Sequence, residues 1–410
     1  MKRQRLKATR TLTFARERHN RERFVRNQLD LEHRGEHVIS RRSLLKRGLV
    51  PLLVVAFLKV ALALLVSLIP GKTSEPWNIY QQSSSGWSYL FSAWDSAYYF
   101  SIATNWYPAH FAAVWAYFPL YPLIIRLLGV SGLDRTWIAM TVSNIVGLAS
   151  IPVFQAIAGN YLSNSETSYS TILYFLLPPV FVFTTVSYPE SLFLLLSLLT
   201  WYTHIKGRNV SAIAFAALTS LTKSYGLLIL LPIAFNLLRF HKYRIIPLLA
   251  VPVLVLVGWF LYAFSRTGVF FAPITAEAGW NTATVLQIQH NIVLFLSEGD
   301  IQSLRYISGY WEIILIGILF FSLVLILTFR VWKIDRSLGI FSAVFLLAFS
   351  FATILFLPTF ASVPRYLSAT FPTGIALHTK RGMWFLLVAV LFVVMDLLGW
   401  WLFLFSTVFH

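Results

Sequence analysis

The residues that can do chemistry in this chain are a few acids and bases standing among apolar and aromatic neighbours. The stretch "FSAWDSAYYF" places one acid, Asp95, among five aromatic rings. A carboxylate that is fixed at the start of a helix and shielded from bulk water suits a general base, which takes a proton from a reacting hydroxyl. Asp is also a good helix N-cap, so a purely structural role is the alternative. Tyr98 and Tyr99 follow one turn on and are candidates to contact a sugar.

Basic residues in similar surroundings suggest that the substrate carries a phosphate. Arg365 stands in "SVPRY", where a guanidinium can hold a phosphate through paired hydrogen bonds. Lys223 in "TKSYG" and Arg126 after "FPLYP" can supply further positive charge. The alternative for each is a side chain that extends towards the lipid headgroups. Several such groups at one membrane level favour a site for a charged, membrane-bound substrate.

Metal and nucleotide sites leave no strong signature in the sequence. The chain has no cysteine, which excludes thiolate catalysis and thiolate metal sites. It also lacks an Asp-x-Asp pair, a glycine-rich phosphate loop and a Gly-x-Ser-x-Gly motif. Asp95 and Glu190 together can hold a divalent cation, although two acids so far apart in the chain are a weak signal. No cofactor is firmly implied.

The composition indicates the environment of these residues. With 57% apolar, 16% aromatic and only 12% charged residues, the chain is too apolar for a soluble protein. One crossing of a bilayer takes about 20 apolar residues, and the chain has several such runs. The sequence therefore predicts an all-α polytopic membrane protein with about 11 transmembrane helices. The expected spans are 49–69, 137–161, 171–187, 190–205, 210–224, 226–240, 245–264, 311–330, 337–357, 366–379 and 383–405.

The placement of Lys and Arg predicts the orientation of these helices. The segment Trp115–Val130 contains two prolines and Arg126 and is short for a crossing. If it is re-entrant or interfacial, the basic loops "IKGR", "RFHKYR", "RVWKIDR" and "HTKR" all lie in the cytoplasm, as the positive-inside rule requires. We therefore expect a structured first extracytoplasmic loop at residues 70–135 and a second long outer segment at residues 265–310. The candidate site then lies at the outer face, and the N-terminus lies in the cytoplasm.

A basic arm, residues 1–48, precedes the transmembrane domain of residues 49–410. Residues 1–47 hold 15 of the 33 Lys and Arg residues and 5 of the 16 Asp and Glu residues. Such an arm can bind nucleic acid, but it lacks an aromatic nucleic-acid motif, and its position before a first span favours contact with anionic lipid. "SRRSLLK" resembles a twin-arginine export signal. The run of about 20 apolar residues that follows favours an uncleaved first helix instead.

Five motifs occur in the order seen in a known family. "WDSAYYFSIA", "FPLYP", "PPVFVFTTVSYPESLFLLLSLL", "LTKSYG" and "SVPRYLSATFP" together resemble the PIG-V mannosyltransferases, over about residues 50–380. The resemblance implies the GT-C membrane glycosyltransferase fold. It also implies a sugar taken from a polyprenyl-phosphate donor on the outer face, an inverting reaction, and an acid of the first outer loop as the base.

The resemblance carries over to individual residues. Trp94-Asp95 matches the family's Trp-Asp, which makes Asp95 the expected catalytic base, and Arg365 matches its Pro-Arg-Tyr. Glu190 falls where the family often has Ser-Glu-Ser, and Lys223 stands where an Arg is more usual. We expect Arg365, Lys223 and Arg126 to bind the donor phosphate. The expected substrate-binding residues are Trp94, Tyr98, Tyr99, His110, Tyr121, Glu190 and Tyr366.

The sequence therefore predicts transfer of a hexose, most simply mannose, from a polyprenyl phosphate to a hydroxyl of a glycolipid or glycan. The expected location is the plasma membrane of a prokaryotic cell, and the expected partners are the donor, the acceptor and the bilayer rather than nucleic acid. One alternative is a transporter or flippase for a lipid-linked sugar, although the chain shows no internal repeat of the kind typical of transporters. The other is a non-catalytic assembly subunit with the same fold.

Overall fold

A computed structural model describes residues 41–68, 91–92, 94–110, 112–355, 363–368, 370–380 and 382–405. The chain divides into two compact units, residues 1–49 and residues 50–410. Of the first unit, only residues 41–49 are described, as the start of a helix. The rest of the expected basic arm lies outside the described residues, whereas residues 41–46 of "SRRSLLK" form the first turns of this helix.

All regular secondary structure in the described residues is helical. The α-helices are α1 (Arg41–Leu68), α2 (Ser96–Asn105), α3 (Leu120–Leu128), α4 (Arg135–Ala158), α5 (Asn164–Phe175), α6 (Pro178–Phe183), α7 (Glu190–Ile205), α8 (Asn209–Thr222), α9 (Leu230–Arg239), α10 (Ala250–Thr267), α11 (Ala272–Glu298), α12 (Ile301–Ile334), α13 (Arg336–Leu355), α14 (Val363–Ser368), α15 (Pro372–Ala376) and α16 (Gly382–Phe405). Shorter 3₁₀ segments occupy Ala112–Ala116, Gly129–Ser131, Ser224–Ile229 and Tyr243–Leu249.

Five helical segments are long and apolar enough to cross a membrane, by length and composition. They are Gly48–Leu68, Arg135–Ala158, Tyr243–Thr267, Ile314–Ile334 and Gly382–Trp400. The structure thus agrees with an all-α membrane protein, whereas the expected number of about 11 spans is not confirmed. Shorter apolar helices lie at Leu120–Ser131, Asn209–Thr222, Ser224–Arg239 and Arg336–Ser350.

Two of the expected spans are interrupted, and proline explains the first interruption. In the expected span 171–187, α5 ends before Pro178-Pro179, and Leu177 takes an extended backbone with φ −63° and ψ 122°. A residue before proline is pushed out of helical conformation by the ring that follows it. The expected span 366–379 is likewise divided into α14 and α15, and Pro372 begins the second of these short helices.

The described part of the first loop, which the sequence predicts to be structured, consists of short helices. It holds α2, the 3₁₀ segment Ala112–Ala116 and α3. Helix α3 has 9 residues, a length of about 14 Å at 1.5 Å per residue, and is too short to span a bilayer. Residues 265–310, expected only as a long outer segment, are mostly helical, since α11 has 27 residues and α12 begins at Ile301.

Two apolar cores meet near the start of α2. The larger core surrounds Phe154, Phe181 and Phe345, and the second lies beneath the first loop. Tyr99 belongs to the second core and Tyr188 to the first, and their ring centroids lie 6.4 Å apart. The junction of the two cores therefore lies one turn from Asp95.

Helix α7 connects two polar groups of residues at opposite ends of the bundle. It packs against α4 and α8 and begins at Glu190. Its 16 residues span about 24 Å. At its far end, His204 Nε2 lies 3.4 Å from Asn236 Nδ2, and Ser337 donates a hydrogen bond to Asn236. The Glu190 end carries the candidate site described next.

Candidate active site

The Asp95 side chain does not cap α2. Asp95 occupies the N-cap position, yet its carboxylate makes no capping hydrogen bond. It accepts instead from the Tyr117 hydroxyl at 3.0 Å and from Arg365 Nη1 at 2.5 Å. The side chain is 26% exposed, so one face remains open to solvent. The Asp95 carboxylate therefore does not act as a simple helix cap, and its catalytic role stays a prediction.

The backbone around Asp95 is held in an unusual conformation. Trp94, immediately before it, has a positive φ of 55°, in the left-handed region that bulky residues rarely adopt. Such strain persists only where neighbouring contacts impose it, and it is often found at functional sites. One such contact is the Asp95 backbone N–H, which donates to the Tyr188 hydroxyl at 3.1 Å. Contacts to the backbone and to the side chain of Asp95 thus fix the direction of its carboxylate.

Arg365 links the two candidate acids of the site. From α14 it donates one hydrogen bond to Asp95 and another, through Nε, to Glu190 Oε1. Its guanidinium also lies over the Tyr188 ring, 4.5 Å from the centroid, a favourable cation–π arrangement. Although burial acts to lower it, Glu190 and Asp95 raise the pKa of Arg365 above its ordinary range. The guanidinium is therefore a permanent positive charge between two carboxylates.

Glu190 is a buried carboxylate held by two cations. Its side chain is 3% exposed, and Lys223 Nζ donates to its Oε1 at 2.8 Å. Burial raises the pKa of Glu190, but Arg365 and Lys223 together bring it below its ordinary value. Its second oxygen, Oε2, has no hydrogen-bond partner among the described residues. A buried acceptor without a partner is costly, and the ion pairs of the same carboxylate with Lys223 and Arg365 offset that cost.

Lys223 follows α8 and lies against aromatic rings. Its Nζ is 5.4 Å from the ring centroid of Tyr366 and 5.7 Å from that of Tyr225. Burial lowers the pKa of Lys223, and Glu190 partly offsets that effect by raising it. Lys223, Glu190 and Arg365 therefore form one contiguous network, and their role in donor binding stays a prediction.

The candidate tyrosines form a wall beside Asp95. Tyr98 stacks on Tyr117 with centroids 4.9 Å apart and an interplanar angle of 9°. Tyr99 is buried and meets Tyr117 edge-on at 5.1 Å. Burial and the neighbouring Asp95 raise the pKa of Tyr98 to about 12. The hydroxyls of this wall are therefore neutral hydrogen-bonding groups at physiological pH.

Three other residues expected at the site take part in different contacts. Arg126 donates to the backbone oxygens of Ala103 and Thr104 and so caps the C-terminal end of α2. Tyr121 is fully buried and lies 2.8 Å from Ser143 Oγ. His110 is exposed in the turn after α2. The structure does not bring these three into the hydrogen-bond network of Asp95 and Arg365, and their roles in substrate binding stay predictions.

Sequence reasoning missed three contributors to the site. Tyr117 directly precedes the motif "FPLYP" and Tyr188 stands within a quoted motif, but nothing in the sequence marks either as a partner of Asp95. Glu277 lies on α11, in a stretch without any motif. Its electrostatic partners include Lys223, Arg365 and Asp95. Only the fold reveals that α11 brings a third acid towards this network.

Glu277 has an unusual environment. Its side chain is exposed to solvent, yet burial by the surrounding protein raises the pKa of its carboxyl above the ordinary value. The carboxyl therefore remains open to solvent and is available to hydrogen-bond the hydroxyls of a ligand.

The arrangement as a whole joins a part-exposed carboxylate to two cations and an aromatic wall. Such a set can accept a proton from a hydroxyl and stabilise a leaving phosphate. The described part of the chain holds no group of three or more His, Asp or Glu residues that are placed to bind a metal ion. The helices and this site together define an integral membrane protein with a polar site at one end of its helical bundle.

A family model for mannosyltransferases of the PIG-V type matches residues 37–246, just over half of the chain. The chain therefore belongs to the PIG-V mannosyltransferase family, and it is a membrane glycosyltransferase. The match includes Asp95, Glu190 and Lys223, whereas Glu277 and Arg365 lie beyond it. No curated protein and no solved structure matches the chain significantly.

Proposed function

We propose that the protein transfers mannose from a polyprenyl-phosphate donor to a hydroxyl of a glycolipid or glycan acceptor, with inversion, on the extracytoplasmic face of a prokaryotic plasma membrane. The observation that carries the proposal is the network in which Arg365 joins Asp95 to Glu190. It combines a base with a cation that suits phosphate, and the family match supplies the class of group transferred.

The proposed reaction is a single displacement at the anomeric carbon of the sugar. The acceptor hydroxyl loses its proton to Asp95, and its oxygen forms the new bond to the anomeric carbon. The bond from that carbon to the phosphate oxygen breaks, and the electron pair leaves with the polyprenyl phosphate. Arg365 and Lys223 stabilise the negative charge that develops on this leaving group. The bilayer keeps the donor beside the base, which lowers the entropic cost of reaction.

Arg365 has a part in preparing the base. In the structure it is paired with Asp95 at 2.5 Å. A donor phosphate that drew the guanidinium towards itself would release the carboxylate to accept a proton. The Tyr117 hydroxyl, 3.0 Å from Asp95 Oδ1, would keep that carboxylate oriented. On this proposal, donor binding comes before activation of the acceptor.

The position of the network supports an extracytoplasmic site. The site residues lie at the Glu190 end of α7. Helix α9 starts near that end and runs away from it. It ends at Arg239, and Lys242 and Arg244 follow in the next loop. By the positive-inside rule, that basic end faces the cytoplasm. The catalytic end is then on the opposite side, where no nucleotide sugar is available and a lipid-linked donor suits the chemistry.

Mass spectrometry of reaction products tests this function. Purified protein in nanodiscs is given polyprenyl-phosphate mannose and an envelope lipid extract, with nucleotide-linked mannose in a parallel reaction. We expect mannosylated lipid or glycan only with the lipid-linked donor. Transfer from the nucleotide sugar alone would overturn the donor class. Movement of intact lipid-linked sugar across vesicles without product would favour the flippase, and neither activity would favour the assembly subunit.

A further inference from the structure

A buried stretch without regular helix lies between α6 and α7. Residues 184–189, which we call the Thr184–Pro189 segment, are buried throughout and follow helix α6 directly. Buried backbone N–H and C=O groups must be paired, because an unpaired group costs as much as a lost hydrogen bond. In a membrane protein, non-helical backbone is tolerated only where protein or a water-lined cavity surrounds it. The segment therefore depends on side chains from other helices.

Four neighbouring elements supply these partners. The contacts are Lys59 Nζ to Thr184 O at 2.6 Å, Asn144 Nδ2 to Thr185 O at 2.8 Å, Ser96 Oγ to Ser187 O at 3.3 Å, Ser143 Oγ to Tyr188 O at 2.9 Å and Ser187 N to Phe91 O at 2.7 Å. Helix α4 also comes very close, since a Cβ added at Gly147 would lie 2.9 Å from Thr184 O. The segment is thus fixed at nearly every residue.

The segment carries groups of the candidate site. Tyr188 lies within it, accepts a hydrogen bond from the Asp95 backbone and lies under the Arg365 guanidinium. Glu190 follows directly and forms the ion pairs with Arg365 and Lys223. A shift of the segment would therefore move the supports of both Asp95 and Arg365. A displacement of about 1 Å in a catalytic group can cost a factor of about 100 in rate.

Lys59 is the unexpected member of this set. It lies within the first candidate membrane span and is only 5% exposed. Its ammonium caps the C-terminal end of α6, where backbone carbonyls and the helix dipole favour a cation. It also interacts electrostatically with Asp396 of α16, which is fully buried and whose carboxylate oxygens have no hydrogen-bond partner among the described residues. Lys59 can therefore act in two ways. It donates a hydrogen bond to the Thr184–Pro189 segment, and it attracts the carboxyl of Asp396.

We propose that Lys59 is a positioning residue for the transfer reaction, acting through Thr184 to hold Tyr188 and Glu190 in place. This inference rests on the proposed function. The hydrogen bond to Thr184 sets the geometry of the site, whereas the attraction to Asp396 balances the buried charge and stabilises the fold. The two roles can be separated, because removing Asp396 leaves the hydrogen bond from Lys59 to Thr184 in place, and removing both ionisable groups leaves neither of them buried without its opposite.

Three variants separate the roles: Lys59→Met, Asp396→Leu and the double variant. Lys59→Met should lower both thermal stability and kcat, the latter about tenfold or more. Asp396→Leu should lower stability but keep kcat within about twofold, because the bond to Thr184 remains. The double variant should regain stability while its kcat stays low. A double variant that regains normal kcat would overturn the proposal, and so would normal kcat in Lys59→Met.

A crosslink gives a readout that needs no activity. Ser92 Oγ and Ser187 Oγ lie 3.3 Å apart in a chain without cysteine. A Ser92→Cys/Ser187→Cys variant should therefore form a disulfide on oxidation with copper phenanthroline. We expect a high yield with Lys59 present and a yield at least fivefold lower in the Lys59→Met/Asp396→Leu background. Equal yields would refute the positioning role even if the protein proved to have no transferase activity, and a reduced yield would keep that role if the proposed reaction failed.

Discussion

Arg365 and Asp95 form an ion pair although 270 positions separate them in the chain. Arg365 comes from the short helix α14, and Asp95 precedes α2 in the first loop. The pair therefore links the first loop to a helix in the C-terminal part of the transmembrane domain. It also places the expected base, Asp95, in direct contact with the expected phosphate ligand, Arg365. The effects of substituting each residue on transfer can therefore be compared.

Replacing Arg365 tests the proposed phosphate contact. Arg365→Ala should reduce transfer about thirtyfold or more, because a charge-assisted contact contributes on the order of 2–3 kcal/mol. The matched control is Arg266→Ala, since Arg266 is exposed in the last turn of α10. Initial rates at varied donor concentration measure the effect. Small and equal losses in the two variants would contradict the role of Arg365.

Glu190 should make stability depend on acidic pH. Its folded pKa lies below the ordinary value of 4.5, so its ion pairs contribute fully above that value and are lost as the pH falls through the folded pKa. At pH 7, Glu190→Gln should unfold at a lower temperature than the wild type. The difference should shrink steadily below about pH 4.5. Glu298→Gln, an exposed change on α11, should show no such trend. A gap that stayed constant down to pH 3 would argue against the ion pairs.

Glu277 should matter for the ligand rather than for the fold. Because its side chain is open to solvent, Glu277→Gln should change the melting temperature little. If the carboxyl binds a substrate hydroxyl, kcat/KM should fall about tenfold, the cost of one or two hydrogen bonds of about 1 kcal/mol each. Glu298→Gln lies on the same helix and serves as the control. Unchanged kinetics for both acceptor and donor would remove Glu277 from the site.

Cysteine labelling tests the proposed orientation without interference, because the chain has no cysteine. His110 and Arg244 are both exposed, one beside the site end and one in the basic loop. In intact cells, an impermeant maleimide should label His110→Cys and should label Arg244→Cys only after permeabilisation. The reverse pattern would place the candidate site in the cytoplasm and would rule out a lipid-linked donor on the outer face.

The sequence predicted the helical class and the main chemical groups, because both depend on local signals. Long apolar runs indicate membrane helices, and motifs such as "SVPRY" mark Arg365 directly. Their pairing could not be predicted, since contact between Asp95 and Arg365 depends on the packing of α14 against α6 and α12. Glu277 has no local signal at all. The break before Pro178-Pro179 has a signal in the sequence, but apolar content alone predicted one continuous span there.

The most direct test of the central claim is the transfer rate of Asp95→Asn. Asn keeps the size of the side chain but cannot take a proton. Because Asp95 makes no capping hydrogen bond, the variant should fold and insert. With polyprenyl-phosphate mannose in nanodiscs, we expect donor binding to persist and transfer to fall about 100-fold or more, the usual effect of losing a general base. Asp95→Glu should retain little activity, since its carboxylate is displaced by one bond length. Near-normal turnover by Asp95→Asn, with donor binding and thermal stability intact, would contradict the account.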